Sequence, residues 1–190
     1  MDARGYTGNE RRRQPKPLDR ARLDELALAY VARFATSAGK LERYLLRKIR
    51  ERGWEGDSPA DPAAIVARFA ELGYIDDAAF ARSRSSGLLR RGYGERRVRQ
   101  SLDEAGIDMD VQQEIAADEG DRRRAALTLA RKRGFGPFGR EPADRERREK
   151  QLTAMLRAGH PLDFAREMVN ATSVAAAEQW AAEADGDGVS

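Results

Sequence analysis

The sequence predicts an all-α protein, an elongated array of three tandem three-helix repeats, and three observations predict it. Hydrophobic residues make up 41% of the 190 and are mainly Ala and Leu, which favour helices, while aromatic residues reach only 7%. Between the two tails the apolar residues recur at helical spacing. An apolar residue also stands four places before a helix-ending glycine three times, as Ile49 and Gly53, Leu102 and Gly106, and Met155 and Gly159, at an interval of 53 residues each time. Any helical protein ends helices on glycine, but two equal intervals with matching helix order make a repeat the better reading.

Residues 1–18 contain Gly5, Gly8, the run Arg11-Arg12-Arg13, Pro15 and Pro17, with too little apolar surface to order themselves, so a disordered basic tail is expected. The first repeat is expected over 19–75. Leu23, Leu26, Ala27, Tyr30, Val31 and Phe34 give its first helix one buried stripe. Leu41, Leu45 and Ile49 mark a second helix ending at Gly53; Ile65, Phe69 and Leu72 mark a third ending at Gly73, with Asp61 as cap and Pro62 in its first turn. The second repeat, 76–120, carries helices from Asp77 to about Arg91, Glu95 to Ala105 and Met109 to Ala117. The third, 121–172, carries Asp121 to Arg133, Asp144 to Arg157 and Leu162 to Asn170. Residues 173–190 form a C-terminal extension, in which Ala175 to Ala184 suits a helix and Asp185-Gly186-Asp187-Gly188 makes an acidic, disordered tip. Helices of roughly 9 to 16 residues are marginal alone, so each unit must pack on itself and on its neighbours.

The inventory for catalysis is poor. Without cysteine there is no disulfide, cysteine-ligated zinc or thiol nucleophile, which fits the cytoplasm. The N-terminal residues are polar and arginine-rich and no run of about 18 apolar residues occurs, so neither export nor a membrane span is expected. The one histidine, His160, precedes Pro161 and reads as a loop residue. Gly134-Phe135-Gly136-Pro137-Phe138-Gly139 lacks the lysine and preceding strand of a phosphate-binding loop and reads as a flexible connection. Asp76-Asp77 directly precedes an apolar-periodic segment, where carboxylates cap helix N–H groups. No catalytic residue, metal site or cofactor is expected.

The charges say more. From Arg82 to Arg99 seven arginines (Arg82, Arg84, Arg90, Arg91, Arg96, Arg97, Arg99) face the single acid Glu95, whereas a solvated helix face mixes signs. Arg145 to Lys150 does alternate and reads as an exposed helix held by its own ion pairs. A second one-signed cluster is Arg122-Arg123-Arg124 with Arg131-Lys132-Arg133, of which the latter trio also suits a helix C-terminus and Asp121 suits an N-cap. Arginine forks match phosphates or carboxylates, and Tyr93 offers either a stacking surface or a turn residue packed on the core. Nothing specifies base readout, so DNA affinity of this kind is sequence-independent; an acidic protein surface fits as well.

The stretch from Gly73-Tyr74-Ile75-Asp76-Asp77-Ala78-Ala79-Phe80-Ala81-Arg82, through Arg91-Gly92-Tyr93-Gly94-Glu95-Arg96-Arg97-Val98-Arg99-Gln100-Ser101-Leu102, to Gly106-Ile107 resembles the signature of the RecX family. The resemblance extends more weakly over Leu23 to Asn170. It implies a crescent of tandem three-helix repeats that binds RecA–DNA filaments, on single- or double-stranded DNA, and restrains strand exchange, ATP hydrolysis and filament growth. That would make it a monomeric, non-catalytic modulator of homologous recombination, DNA repair and the SOS response. The family's basic surface would correspond to Arg82, Arg90, Arg91, Arg96, Arg97 and Arg99, held in place by Asp76, Asp77, Phe80, Tyr93, Val98 and Leu102. Arg84 and Arg122 to Arg124 join the candidate RecA- and DNA-binding set from their charge and position alone, and Tyr93 from the stacking surface it offers between two arginine groups. A sequence-independent DNA-binding protein without a recombinase partner, and a helical adaptor with no nucleic-acid dependence, are the rival readings.

Overall fold

Short polar side chains start most of the helices. In the computed structural model, which describes residues 16–184, Asp19 caps α1 (Arg20–Arg33), Ser37 caps α2 (Ala38–Arg52) and Asp61 caps α3 (Pro62–Glu71), each accepting an amide of the first turn. Asp76 does the same for α4 (Asp77–Leu89), which α5 (Glu95–Asp103) and α6 (Met109–Glu114) follow. Then come α7 (Glu119–Arg133), α8 (Arg145–Arg157), α9 (Leu162–Asn170) and α10 (Val174–Glu183). Among the described residues no strand forms; a single parallel bridge joins Leu18 and Trp54.

The buried residues fall into three clusters, one per unit. Leu18, Leu23, Leu41, Leu45, Ile65 and Phe69 form the first. Ala81, Leu88, Val98, Leu102 and Ile107 form the second, and Ala126, Met155, Phe164, Met168 and Ala177 the third. Burying each leucine-sized side chain contributes about 1.5–3 kcal/mol, so no helix stands without its unit. The fold is all-helical, a tandem array of small helical units.

Several local expectations are corrected. Phe34 lies past the end of α1 in extended backbone and is 48% exposed, so the buried stripe stops at Val31. Leu72 ends α3 and is 62% exposed, because the chain turns there into Gly73. Leu18 is no part of a tail. It is fully buried, its amide donates to the Gly53 carbonyl and its carbonyl accepts from the Glu55 amide, both at 2.9 Å. Residues 1–15 and the acidic tip lie outside the described residues. Helix α7 starts two residues earlier than expected, since Asp118 rather than Asp121 accepts the capping bond. The run at Gly134 is not a flexible connection. It folds into a 3-10 turn, Gly136–Phe138, with Phe135 and Phe138 packed on the third core and the Gly136 amide donating to Gln151 Oε1 at 3.0 Å. The C-terminal extension supplies α10, which packs on α7 and sets Trp180 edge-on to Phe164 at 5.0 Å.

Both unit junctions use the same arrangement: the start of the second helix of one unit meets the glycine turn that ends the second helix of the next. At the first junction Ser37 Oγ donates to the Ala105 carbonyl and Arg43 Nη2 to the Glu104 carbonyl, each at 2.6 Å. At the second, the Gly94 amide donates to the Ala158 carbonyl at 2.9 Å and the Arg96 amide to the Gly159 carbonyl at 3.2 Å. Glycine is required on both sides of that contact. Gly159 has φ +98°, and a Cβ on Gly94 would stand 2.4 Å from the Gly159 backbone. The glycine spacing therefore records how units dock as well as where helices end. His160 sits in this junction, buried, donating from Nε2 to the Gly92 carbonyl at 2.9 Å, and is not an ordinary loop residue.

Candidate partner and nucleic-acid interface

The central unit carries the arginine-rich stretch on α4, the turn after it, and α5. Arg82 and Arg90 are exposed, and neither side chain forms an ion pair among the described residues. Arg84 is exposed as well, but its Nε donates to Ser101 Oγ at 2.8 Å and ties α4 to α5. Arg91 donates from Nε to the Gly87 carbonyl, and its guanidinium lies 5.8 Å from the Tyr93 ring centroid. Tyr93 is itself 38% exposed, so its ring offers a face to solvent instead of filling the core.

The arginines of α5 are more occupied than their sequence position suggests. Arg96 reaches across the second junction, donating from Nη2 to the Leu156 carbonyl at 2.5 Å. Arg97 donates to Gln100 Oε1 at 2.7 Å, and Arg99 pairs with Glu95 at 2.7 Å. The other oxygen of Glu95 accepts from Arg122 Nη1 at 2.9 Å, so the one acid of the stretch joins it to α7. Of the arginine trio, Arg123 pairs with Glu119, donates to the Trp180 carbonyl at 2.9 Å and lies 4.7 Å from the Trp180 ring centroid. Arg124 pairs with Asp121 at 2.9 Å. The trio is thus interleaved with carboxylates that its own helix or α5 supplies, an arrangement visible in the sequence only as Glu119 and Asp121 one turn away.

Near the first junction Arg43 and Arg84 lie close enough to Lys40 to act on it. The Lys40 ammonium stands 4.8 Å from the Phe80 ring centroid and its pKa is lowered, first by burial and then by the nearby Arg84 and Arg43 guanidinium groups. Asp77, read from sequence as a cap of its own helix, instead accepts the Ala38 amide of the first unit at 2.9 Å. In the mixed-sign stretch Arg145 pairs with Glu149 at 3.2 Å and Lys150 with Glu146 at 2.5 Å, all exposed. Among the described residues no group of three or more His, Cys, Asp or Glu could hold a metal ion, and no helix is long and apolar enough to cross a membrane.

A family model described as RecX, second three-helix domain, matches residues 76–114, the stretch that carries α4, α5 and α6. The chain is 30% identical over 181 residues to Regulatory protein RecX of Myxococcus xanthus (strain DK1622), covering 89% of this chain and 97% of that relative. It is 33% identical over 162 residues to Regulatory protein RecX of Stenotrophomonas maltophilia (strain R551-3), covering 84% and 90%. Among solved structures it superposes on RecX from Lactobacillus salivarius with a TM-score of 0.61 at 18% identity, over 78% of this chain and 93% of that one. That likeness establishes the helical fold and no more.

Proposed function

This chain belongs to the RecX family, and from that premise we propose that it is a regulatory protein that binds RecA–DNA filaments and inhibits strand exchange, ATP hydrolysis and filament growth. The observation that carries the reading is the central unit's surface. Arg82 on α4 and Arg90 at its C-terminal end are exposed and form no ion pair among the described residues, and the Arg91 and Tyr93 pair follows Arg90 in the turn, on an array of small helical units that offers an extended face. Exposed arginines contact phosphates without regard to base sequence, and a filament presents phosphates and protein carboxylates along its length. Arg96, Arg122 and Arg123 act mainly as supports, because their guanidinium groups hold neighbouring helices together, while Arg124 pairs with Asp121 of its own helix. The protein works as a cytoplasmic monomer and turns over no substrate.

RecA's DNA-dependent ATPase and strand exchange, measured across a titration of this protein, test the reading. Both rates are expected to fall with added protein. Unchanged rates alongside salt-sensitive binding to bare DNA would overturn it in favour of a DNA-binding protein without a recombinase partner.

A further inference from the structure

A groove of about 490 Å³ lies where the first and second units meet, lined by Phe34, Tyr74, Phe80, Arg84 and Arg91. Phe34 and Tyr74 are 48% and 55% exposed, large values for rings. Each is steadied from behind by a second ring, Tyr30 at 5.2 Å for Phe34 and Phe69 at 5.4 Å for Tyr74, so part of each is left to solvent. Its charge is almost one-signed. The only acid in the lining, Asp76, is engaged in capping α4, while Arg33 adds a guanidinium 5.4 Å from the Phe34 ring centroid. A second groove, about 690 Å³, lies between the second and third units and includes Tyr93, Arg133 and Arg157. Arg91 lines the first groove and packs on Tyr93 of the second, so the two meet at that pair.

We propose that the grooves form one track for single-stranded nucleic acid, with unpaired bases stacking on Phe34, Tyr74 and Tyr93 and phosphates meeting Arg84, Arg91, Arg133 and Arg157. The inference rests on the nucleic-acid part of the function proposed above and assigns it to residues, two of them aromatic, outside the arginine-rich stretch. Half-exposed rings among arginines match a ligand that is both anionic and flat-faced. An acidic peptide would use the arginines and leave the rings unexplained, and duplex bases already stack on one another and cannot reach a ring. The first groove is the stronger end, since in the second Glu146 and Glu149 accompany the cations, although both are paired along α8.

The test is fluorescence anisotropy on the full chain with three probes of equal length: labelled oligo-dT, the same sugar-phosphate chain without bases, and a duplex. Wild type is expected to bind oligo-dT more tightly than the abasic strand or the duplex. Phe34→Ala and Tyr74→Ala should each weaken oligo-dT binding by about 5- to 150-fold, the range one base–aromatic stack covers, and leave abasic binding unchanged. Phe34→Trp and Tyr74→Trp should retain binding. Where an alanine variant loses its helical circular dichroism, Phe34→Leu and Tyr74→Leu keep the apolar bulk, remove the ring and are expected to weaken oligo-dT binding in the same way. Equal affinity for oligo-dT and the abasic strand, preference for the duplex, or wild-type affinity in the folded ring-less variants would overturn the track. These probes contain no recombinase, so the outcome is independent of the ATPase titration: inhibition without stacking removes the track alone, and stacking without inhibition removes the filament reading alone.

Discussion

The Asp77 carboxylate accepts the backbone amide of Ala38 at 2.9 Å, so a residue of the second unit caps the first turn of α2 in the first. Its neighbour Asp76 caps α4 itself through the Ala79 amide at 2.7 Å. Two adjacent carboxylates therefore do separate tasks, one local and one across the junction.

Removing the acceptor by Asp77→Ala is expected to cost about 0.5–2 kcal/mol of unfolding free energy, the usual range for a lost N-cap. Asp77→Asn keeps an acceptor oxygen and is expected to stay within about 0.5 kcal/mol of wild type at neutral pH. Burial, more than any neighbouring charge, raises the Asp77 pKa above its ordinary 3.8, so ionisation is resisted in the folded state and the amide forgoes little. Denaturant midpoints of the two variants give the comparison; equal losses would show that charge, not the hydrogen bond, matters at this junction.

The second junction offers a steric contrast. Gly94→Ala would set a methyl 2.4 Å from the Gly159 backbone and is expected to destabilise by about 1–3 kcal/mol or more, loosening the third unit from the second. Gly87→Ala, inside α4 with nothing within 4 Å of the new Cβ, should instead stabilise by about 0.5–1 kcal/mol. Thermal unfolding of both variants checks the pair, and a benign Gly94→Ala would mean that the units do not dock this way in solution.

His160 makes that junction sensitive to pH. Burial lowers its pKa below the ordinary 6.5, only partly offset by the bond to Gly92, so the folded state keeps the ring neutral where the unfolded chain would protonate it. The stability this contributes is fully present above about pH 6.5 and is lost as pH falls from there through the lowered folded value. His160→Gln can preserve the hydrogen bond without a titrating ring. The difference in unfolding free energy between wild type and His160→Gln is expected to narrow or reverse as pH drops below 6.5; a pH-independent difference would count against a neutral buried ring.

Charge reversal separates surface from support. Arg82→Glu with Arg90→Glu changes two exposed side chains that form no ion pair among the described residues and is expected to abolish inhibition of RecA's ATPase with unchanged circular dichroism. Single alanine changes at these positions should each lower the salt slope of DNA-dependent binding by about one unit if the arginine meets a phosphate. Arg145→Glu with Arg147→Glu, in the mixed-sign stretch, should matter little. Arg96 suits this test poorly, since its bond to the Leu156 carbonyl couples its loss to the junction. Equal loss of inhibition from both reversed pairs would mean that net charge and not the central unit drives binding.

The sequence by itself determined the helical class, the positions of the helices and most of the buried stripes, as Leu41, Leu45, Phe69, Val98 and Leu102 illustrate, because those depend on spacing within about a dozen residues. The RecX resemblance was equally legible, since its three stretches all fall between Gly73 and Ile107. Only the tertiary structure decided which charges are available. Arg82 and Arg99 look alike in the sequence, yet Arg99 is paired with Glu95 whereas Arg82 forms no ion pair among the described residues. The same holds for Asp77 capping α2, for His160 buried against Gly92 and for Phe34 and Tyr74 meeting in one groove, partners 39, 68 and 40 residues apart in the chain. Local periodicity fixes which face of a helix is apolar, but what that face and its flanks meet depends on how units dock, and although the glycine spacing marks the docking turns, the partners that Ser37, Gly94 and Arg96 find there lie about 60 to 70 residues away in the chain.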